Sequence, residues 1–211
     1  MSKDCEKIHK LFNKMERFTF PFKEYNIPTN GIYILFELGE KAHGGDRIVR
    51  IGTHTGHNQL KSRIKQHFIN ENKDRSIFRK NIGRVLLNKQ KDPYIEVWEL
   101  DLTTKESKEK YGNLIDEKKQ KNMEKHITKH IQKNFNFVVF PIEKKEKRLW
   151  FESKIISTVS LCKNCHSSKN WIGLHSTKEK IRESGLWLVN ELYKTPLSKE
   201  DLKMLEKTIK N

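Results

Sequence analysis

Apolar positions recur along this chain with two different periods, and the changes of period predict most of its elements. Residues 4–18 read as a short helix. Residues 31–37 and 47–53 are rich in Ile, Val, Tyr and Phe and flank a polar loop with Gly44 and Gly45, which predicts a hairpin. Leu60, Ile64 and Phe68 fall on one stripe of a helix that Asn58 can cap and that runs to about Asn70. The stretch "SIFRKNIGRVLLNK" predicts another helix, and "YIEVWEL", residues 94–100, alternates like a strand. Residues 105–134 are helical in pattern but nearly all polar. Leu114, Ile115, Met123, Ile127 and Ile131 give them only a thin stripe, so this segment is expected to project from the body. "FNFVVFPI", residues 135–142, is a continuous apolar run and predicts a buried strand. Residues 146–161 are helical, a polar loop leads to "WIGL", and "TKEKIRESGLWLVNELY" is helical again. The last helix begins at Ser198, where Asp201 completes a capping box and Leu197 is placed to staple onto Leu202. No repeat and no Gly/Ser linker interrupts the pattern. The expected fold is α+β: a small, mainly antiparallel sheet flanked by helices. It forms one domain over residues 1–211, with a charged helical insertion at about 105–134 and C-terminal helices over 177–211.

Composition sharpens this picture. Of the 211 residues, 35% are hydrophobic and 33% charged, which suits one modest core with long solvated helices. No apolar run reaches the length of about 18 residues that a membrane helix needs. The first residues, "MSKDCEKIHKLFNKMERF", lack the apolar stretch of a secretory signal, and three cysteines is an odd number for a disulfide framework. Together these features predict a soluble, cytoplasmic protein with no membrane partner. The net charge of +16 is the stronger signal. A Lys-rich codon bias can inflate it, but a polyanion is the simplest partner, because each phosphate neutralised releases a counterion. Nucleic acid is therefore expected.

Candidate chemistry is scattered along this frame. Arg63 and His67 stand four apart, on one face of their helix beside the apolar stripe. Alone they read as a solvated basic face. In "RLWFESKIISTV", Leu149, Ile155, Ile156 and Val159 mark a buried stripe on which Glu152 also falls. A carboxylate there needs a cation or a metal, and a structural ion pair is the plain alternative. Asn170 and Trp171 open a new segment, as a cap and a core plug commonly do. "CKNCH", Cys162 to His166, has the spacing of a haem attachment site, which needs an exported chain. A zinc reading would use Cys162 and Cys165 with His166 or His175, but a second cysteine pair is missing. His126 and His130 are four apart without the Glu of a zinc-protease motif, so they read as part of a solvated helix. Gly44-Gly45 lacks the Gly-Lys-Ser/Thr of a phosphate loop.

Order makes these weak signals specific. Gly31-Ile32-Tyr33, then Arg50-Ile51-Gly52, then Arg63, His67, Glu152 and Asn170 resemble the GIY-YIG nuclease superfamily over about residues 29–175. The resemblance is to stand-alone or restriction-type members, with Arg50 where the second motif usually has tyrosine. It implies a divalent-metal-dependent endonuclease acting on DNA, or on RNA. Tyr33 or His67 would be the general base, Arg63 would stabilise the phosphate, Glu152 would hold one Mg²⁺ (or Mn²⁺), and Asn170 would orient the phosphate. His54 and His57, just past the second strand, would lie near enough to touch substrate. A free tyrosine titrates near pH 10, too high for a base at neutral pH, and a nearby cation such as Arg50 favours the phenolate. That role requires Tyr33 and Arg50 to share a face, with Tyr33 opposite residue 50 or 52. A monomer would carry one such site, so cutting both strands would take a homodimer or two events. A non-catalytic nucleic-acid-binding protein on the same scaffold is the alternative.

Overall fold

A computed structural model describes residues 2–210. The chain runs α1 (Ser2–Asn13), β1 (Phe18–Thr19), β2 (Gly31–Ala42), β3 (Gly45–Gly52), α2 (Leu60–Phe68), α3 (Ile77–Lys89) and α4 (Ile95–Trp98). It continues through α5 (Lys105–Tyr111), α6 (Glu117–Asn134), β4 (Phe135–Pro141), α7 (Lys145–Ser160), α8 (Glu179–Ser184) and α9 (Lys199–Lys210). The strands pair antiparallel throughout, in the order β1-β4-β2-β3. The α+β arrangement expected from the sequence is present. Among the described residues no helix is long and apolar enough to cross a membrane.

Strand alternation sorts the side chains into two cores. Ile32, Ile34 and Phe36 of β2 join Val138 and Phe140 of β4 under α1, α7 and α9. Tyr33 and Leu35 join Phe135 and Phe137 on the other face, under α2, α3 and α6. Each buried Ile, Leu or Phe is worth about 1.5–3 kcal/mol over exposure, so the sheet is held between the two helical layers. β2 and β4 are covered on both faces, which explains their nearly unbroken apolar runs. Because α1 and α9 contribute Cys5, Ile8, Phe12, Leu202 and Leu205, the packed body extends beyond residues 29–175.

The β2–β3 hairpin turns at His43 and Gly44, both with positive φ. Next to the turn, Ala42 pairs with Gly45 and Lys41 with Asp46. Continued unbroken, that ladder would set Arg50 against Glu37. Irregularities between Leu35 and Lys41 slide it by two residues, so Leu35 faces Arg50 and Tyr33 faces Gly52. The net slide of two residues leaves Arg50 on the face of Tyr33 and Leu35, while Ile48, opposite Phe36, packs on the other face.

Four expectations are corrected. Residues 95–98 are a helical turn, not a strand, because packing uses Tyr94 and Trp98 at a spacing of four; the Trp98 indole is buried and donates to the Lys80 carbonyl at 3.0 Å. The insertion bends through a short turn at Gly112–Leu114. α5 and this turn have no buried residue; α6 docks through Ile127, Ile131 and Glu124, whose carboxylate pairs with the buried Arg79 at 2.6 Å. Asn58 does not cap α2; it takes φ +55° and bonds Asn30 instead. The helix after Lys178 stops at Ser184, where Gly185 turns left-handed at φ +67°. The chain then runs along β3, with Trp187 N–H donating to the Val49 carbonyl at 2.8 Å. The last helix has its capping box: Asp201 N–H reaches Ser198 Oγ at 3.1 Å, and Ser198 N–H reaches the Asp201 carboxylate at 2.9 Å.

Glu37 ties the C-terminal segments to the sheet. Its buried carboxylate accepts the indole N–H groups of Trp171 at 2.7 Å and Trp187 at 2.8 Å. Burial pushes its pKa up to about 7, against the pull of those two bonds. A raised carboxylate gives a contribution to stability that is full below the unfolded value and is lost as pH rises through the folded one. Glu37→Gln keeps an acceptor for the indoles and removes the titration. Urea unfolding of both proteins at pH 5 and pH 8 should show the variant gaining on the wild type by up to about 3 kcal/mol at the higher pH. Parallel pH profiles would refute this role.

Candidate active site

The two motif glycines are set by close approach. A Cβ on Gly31 would lie 2.3 Å from the Phe140 carbonyl oxygen, because β4 presses against β2 there. A Cβ on Gly52 would lie 2.2 Å from Tyr33 Oη, because the phenol ring lies across its cross-strand partner. The ring is thereby directed toward α2.

There Tyr33 Oη meets His67 Nε2 at 2.8 Å, and His67 Nδ1 meets Ser76 Oγ at 2.7 Å. Ser76 caps α3 by accepting the Arg79 N–H at 3.3 Å. Arg50 Nε–H reaches Tyr33 Oη at 3.4 Å, while its other end donates to the Trp187 carbonyl. The Arg50 guanidinium also lies over the Phe78 ring, 5.4 Å from its centroid. Tyr33 and His67 are fully buried. Burial, and then the charges of Arg63, Arg50 and Arg79, hold the His67 pKa well below its ordinary value. The ring is therefore neutral at neutral pH. With Nδ1–H given to Ser76, its Nε2 accepts from Tyr33.

Beside this pair lies a groove of about 390 Å³ lined by Thr53, His54, Gln59, Arg63, Gln66 and Glu152. Arg63 is braced by Gln66 Oε1 at 3.0 Å and the Arg75 carbonyl at 3.1 Å. Glu152 Oε1 accepts the Thr53 N–H at 3.0 Å. Burial raises the Glu152 pKa, opposed by Arg50, the Thr53 bond and Arg63. No lysine or arginine among the described residues forms an ion pair with it, so its second oxygen is available. One carboxylate oxygen open to a groove suits Mg²⁺, which accepts one or two carboxylates and fills its shell with water and phosphate oxygens.

Glu152 also lines a second pocket of about 270 Å³, with Arg50, Asn81, Trp187 and Asn190. Asn81 is buried, its Oδ1 accepts from Arg84, and its Nδ2 has no hydrogen-bond partner among the described residues. An unmatched buried amide costs about 1–3 kcal/mol, and Asn81 is one of the residues that line this pocket.

The fold thus gathers Tyr33, Arg50, Arg63, His67 and Glu152, and leaves Asn170 out. Asn170 is exposed, in a separate groove with Lys89, Trp171 and His175. His54 forms part of the groove wall, with Nδ1–H on the Gly56 carbonyl at 2.8 Å and Nε2 accepting the Gly31 N–H at 3.4 Å. His57 is exposed and outside the groove lining. A larger cleft, about 600 Å³, lies elsewhere, between α5, α6 and the 71–75 turn. Sequence reading missed Ser76, Gln66, Thr53 and Asn81. Ser76 left a signal, as a cap before a helical run, and Gln66 stands three after Arg63 on the same helix; Thr53 and Asn81 are defined by contacts across the fold. His130 is not on a solvated face either: its ring packs on Phe135, and burial lowers its pKa to about 4.

A His/Cys cluster capable of coordinating a metal ion is present away from the groove, formed by Cys5, His9, His43 and Cys165. His166 and His175, named with Cys162 and Cys165 in the sequence, are exposed and stand apart from it. In comparisons with known proteins, a family model described as a GIY-YIG domain matches residues 3–211. No curated protein and no solved structure gives a significant match.

Gly52→Ala should destabilise the protein by about 1–3 kcal/mol, since Tyr33 is packed on all sides and must shift. Truncating the ring removes the obstacle, so in urea melts the pair Gly52→Ala/Tyr33→Ala should lose less than the sum of the single losses. Simple additivity would show that the phenol does not hold Gly52 to glycine.

Proposed function

The chain belongs to the GIY-YIG domain family, and on that premise we propose that it is a divalent-metal-dependent endonuclease hydrolysing DNA phosphodiester bonds. One observation carries the reading: Glu152, a carboxylate in no ion pair among the described residues, shares a groove with Arg63 beside the buried Tyr33–His67 pair. The net charge of +16 supplies the attraction for a polyanion.

In this reading the scissile phosphate enters the groove, and the planar fork of Arg63 clamps its non-bridging oxygens. Glu152 would hold one Mg²⁺, or Mn²⁺ in its place, which when bound polarises the phosphate and eases departure of the leaving oxygen. Tyr33 is the general base: its oxygen takes a proton from the attacking water as its own O–H proton passes to His67 Nε2. Arg50 stabilises negative charge on the phenol oxygen and also seals it, since Tyr33 has no exposed surface. A phosphate that draws the Arg50 guanidinium toward itself opens the path to the phenol. His67 holds Tyr33 in position and is the alternative proton acceptor. The amide role expected of Asn170 falls to Asn81, which lines the pocket shared by Arg50 and Glu152 and whose buried Nδ2 has no partner among the described residues. His54 shapes the wall of the groove.

The test is cleavage of supercoiled plasmid and of RNA at low salt with Mg²⁺. Glu152→Ala and Tyr33→Phe should each lower the rate at least about 100-fold while DNA binding by anisotropy is kept. Asn81→Ala should slow cutting without weakening binding. Binding without cutting in Mg²⁺ or Mn²⁺ would favour the non-catalytic reading.

The pH profile adds a second check. Glu152 acts ionised and burial raises its pKa, so the rate should fall as pH drops through a value above that of an exposed glutamate. His67 is held neutral far below its ordinary value, so no break is expected near pH 6.5. A break there that Tyr33→Phe leaves in place would assign the base to another group.

A further inference from the structure

At the far end of the hairpin from Tyr33, all three cysteines of the chain converge, buried and unbridged. Cys5 and His9 stand one helical turn apart on the inner face of α1. His43 sits in the β2–β3 turn, and Cys165 lies in the loop after α7. One donor atom from each of these four residues lies within 4.8 Å of all the others. Cys165 Sγ is 3.4 Å from His9 Nε2, and the His9 and His43 ring centroids are 4.8 Å apart.

We propose that this cluster is a structural zinc site in which Cys5, His9, His43 and Cys165 bind one Zn²⁺. Two thiolates and two imidazoles are the soft, four-donor set that selects zinc, and a hard ion such as Mg²⁺ prefers oxygen. Tetrahedral zinc at its usual bond lengths separates its donors by roughly 3.3–3.8 Å, so the four residues need only small rotations to close on an ion. His9 is already oriented: its Nδ1 lies 2.9 Å from the Cys5 carbonyl, and donation there leaves the Nε2 lone pair facing Cys165. Zinc-bound histidines are fixed by such a bond on their other nitrogen. A pocket of about 180 Å³, lined by His9, Lys10, Asn13 and His43, gives the ion a way in from solvent.

Two contacts compete with this assignment. The Ile48 N–H lies 3.2 Å from His9 Nε2, and Cys162 Sγ lies 3.5 Å from His43 Nε2. Without metal they make a hydrogen-bonded thiol–imidazole cluster, and Cys162 could stand in for His9. Zinc would fasten α1, the hairpin tip and the 161–170 loop at one point. The Glu40–Arg47 pair already joins the same tip to Ser168 and Gly185. The proposal does not depend on the nuclease reading.

The test is elemental analysis of protein expressed with added zinc and purified without chelator. The wild type should hold about one equivalent of zinc per chain. Cys5→Ser, His9→Asn and Cys165→Ser should lose it, while Cys162→Ser and Glu152→Ala keep it. Because the serine variants risk misfolding, the wild type is also melted after treatment with a zinc chelator. Its Tm should fall by on the order of 10 °C and be restored by Zn²⁺ but not by Mg²⁺. Wild type without zinc, with a Tm that neither chelator nor Zn²⁺ moves, would overturn the proposal. Zinc lost in Glu152→Ala alone would place the ion in the groove and overturn it too. Zinc kept in His9→Asn but lost in Cys162→Ser would overturn this ligand set.

Discussion

The candidate site depends on one register, Tyr33 opposite Gly52. Tyr33 comes from β2 and Arg50 from β3, and they meet because the ladder slips by two residues between the turn and the motif. Glycine at 52 lets the phenol lie flat against its partner strand, and glycine at 31 lets β4 close on β2. Both glycines therefore act by removing atoms. They make room for the Tyr33 ring to reach across to α2 and His67.

Around this register the fold buries an unusual amount of charge. Arg47–Glu40 and Arg79–Glu124 are buried pairs at 2.6 Å, and Glu37 accepts two tryptophans in the core. Such groups contribute little net stability over apolar packing, yet losing one partner costs about 3–5 kcal/mol. Their value lies in placement. Arg79 fixes α6 and the Ser76 cap beneath His67, and Glu37 fixes the strand-like segment whose carbonyl holds Arg50. The charged helices and the site thus share a single polar framework, which is why α6 docks where its thin apolar stripe suggested that it would project.

Much of this was legible in the sequence. The β2–β3 hairpin, the apolar run of β4, the Leu60/Ile64/Phe68 stripe and the Ser198 box all reflect local rules, and they formed as read. The two motif triplets and Arg63, His67 and Glu152 were legible because each sits at a fixed offset within a regular element. Three kinds of feature were not. Residues 94–98 satisfy both a strand and a helical pattern, and the burial of Trp98 decides between them. Asn170 matched only by order along the chain, with a long irregular loop before it, and spacing through a loop fixes no direction in space. The Cys5, His9, His43 and Cys165 cluster draws on a helix, a turn and a distant loop, so no spacing rule could find it.

The slipped ladder has a hereditary side. Substitutions can be tried one at a time, but Arg50 holds its place by a count of residues. Adding or removing one residue between the turn and Arg50 would turn the guanidinium out of the Tyr33 face. Removing the two-residue slip would keep the face and trade the phenol for the Glu37 carboxylate as the neighbour of Arg50. Lineages sharing this arrangement should therefore diverge in the letters of the hairpin more readily than in its length.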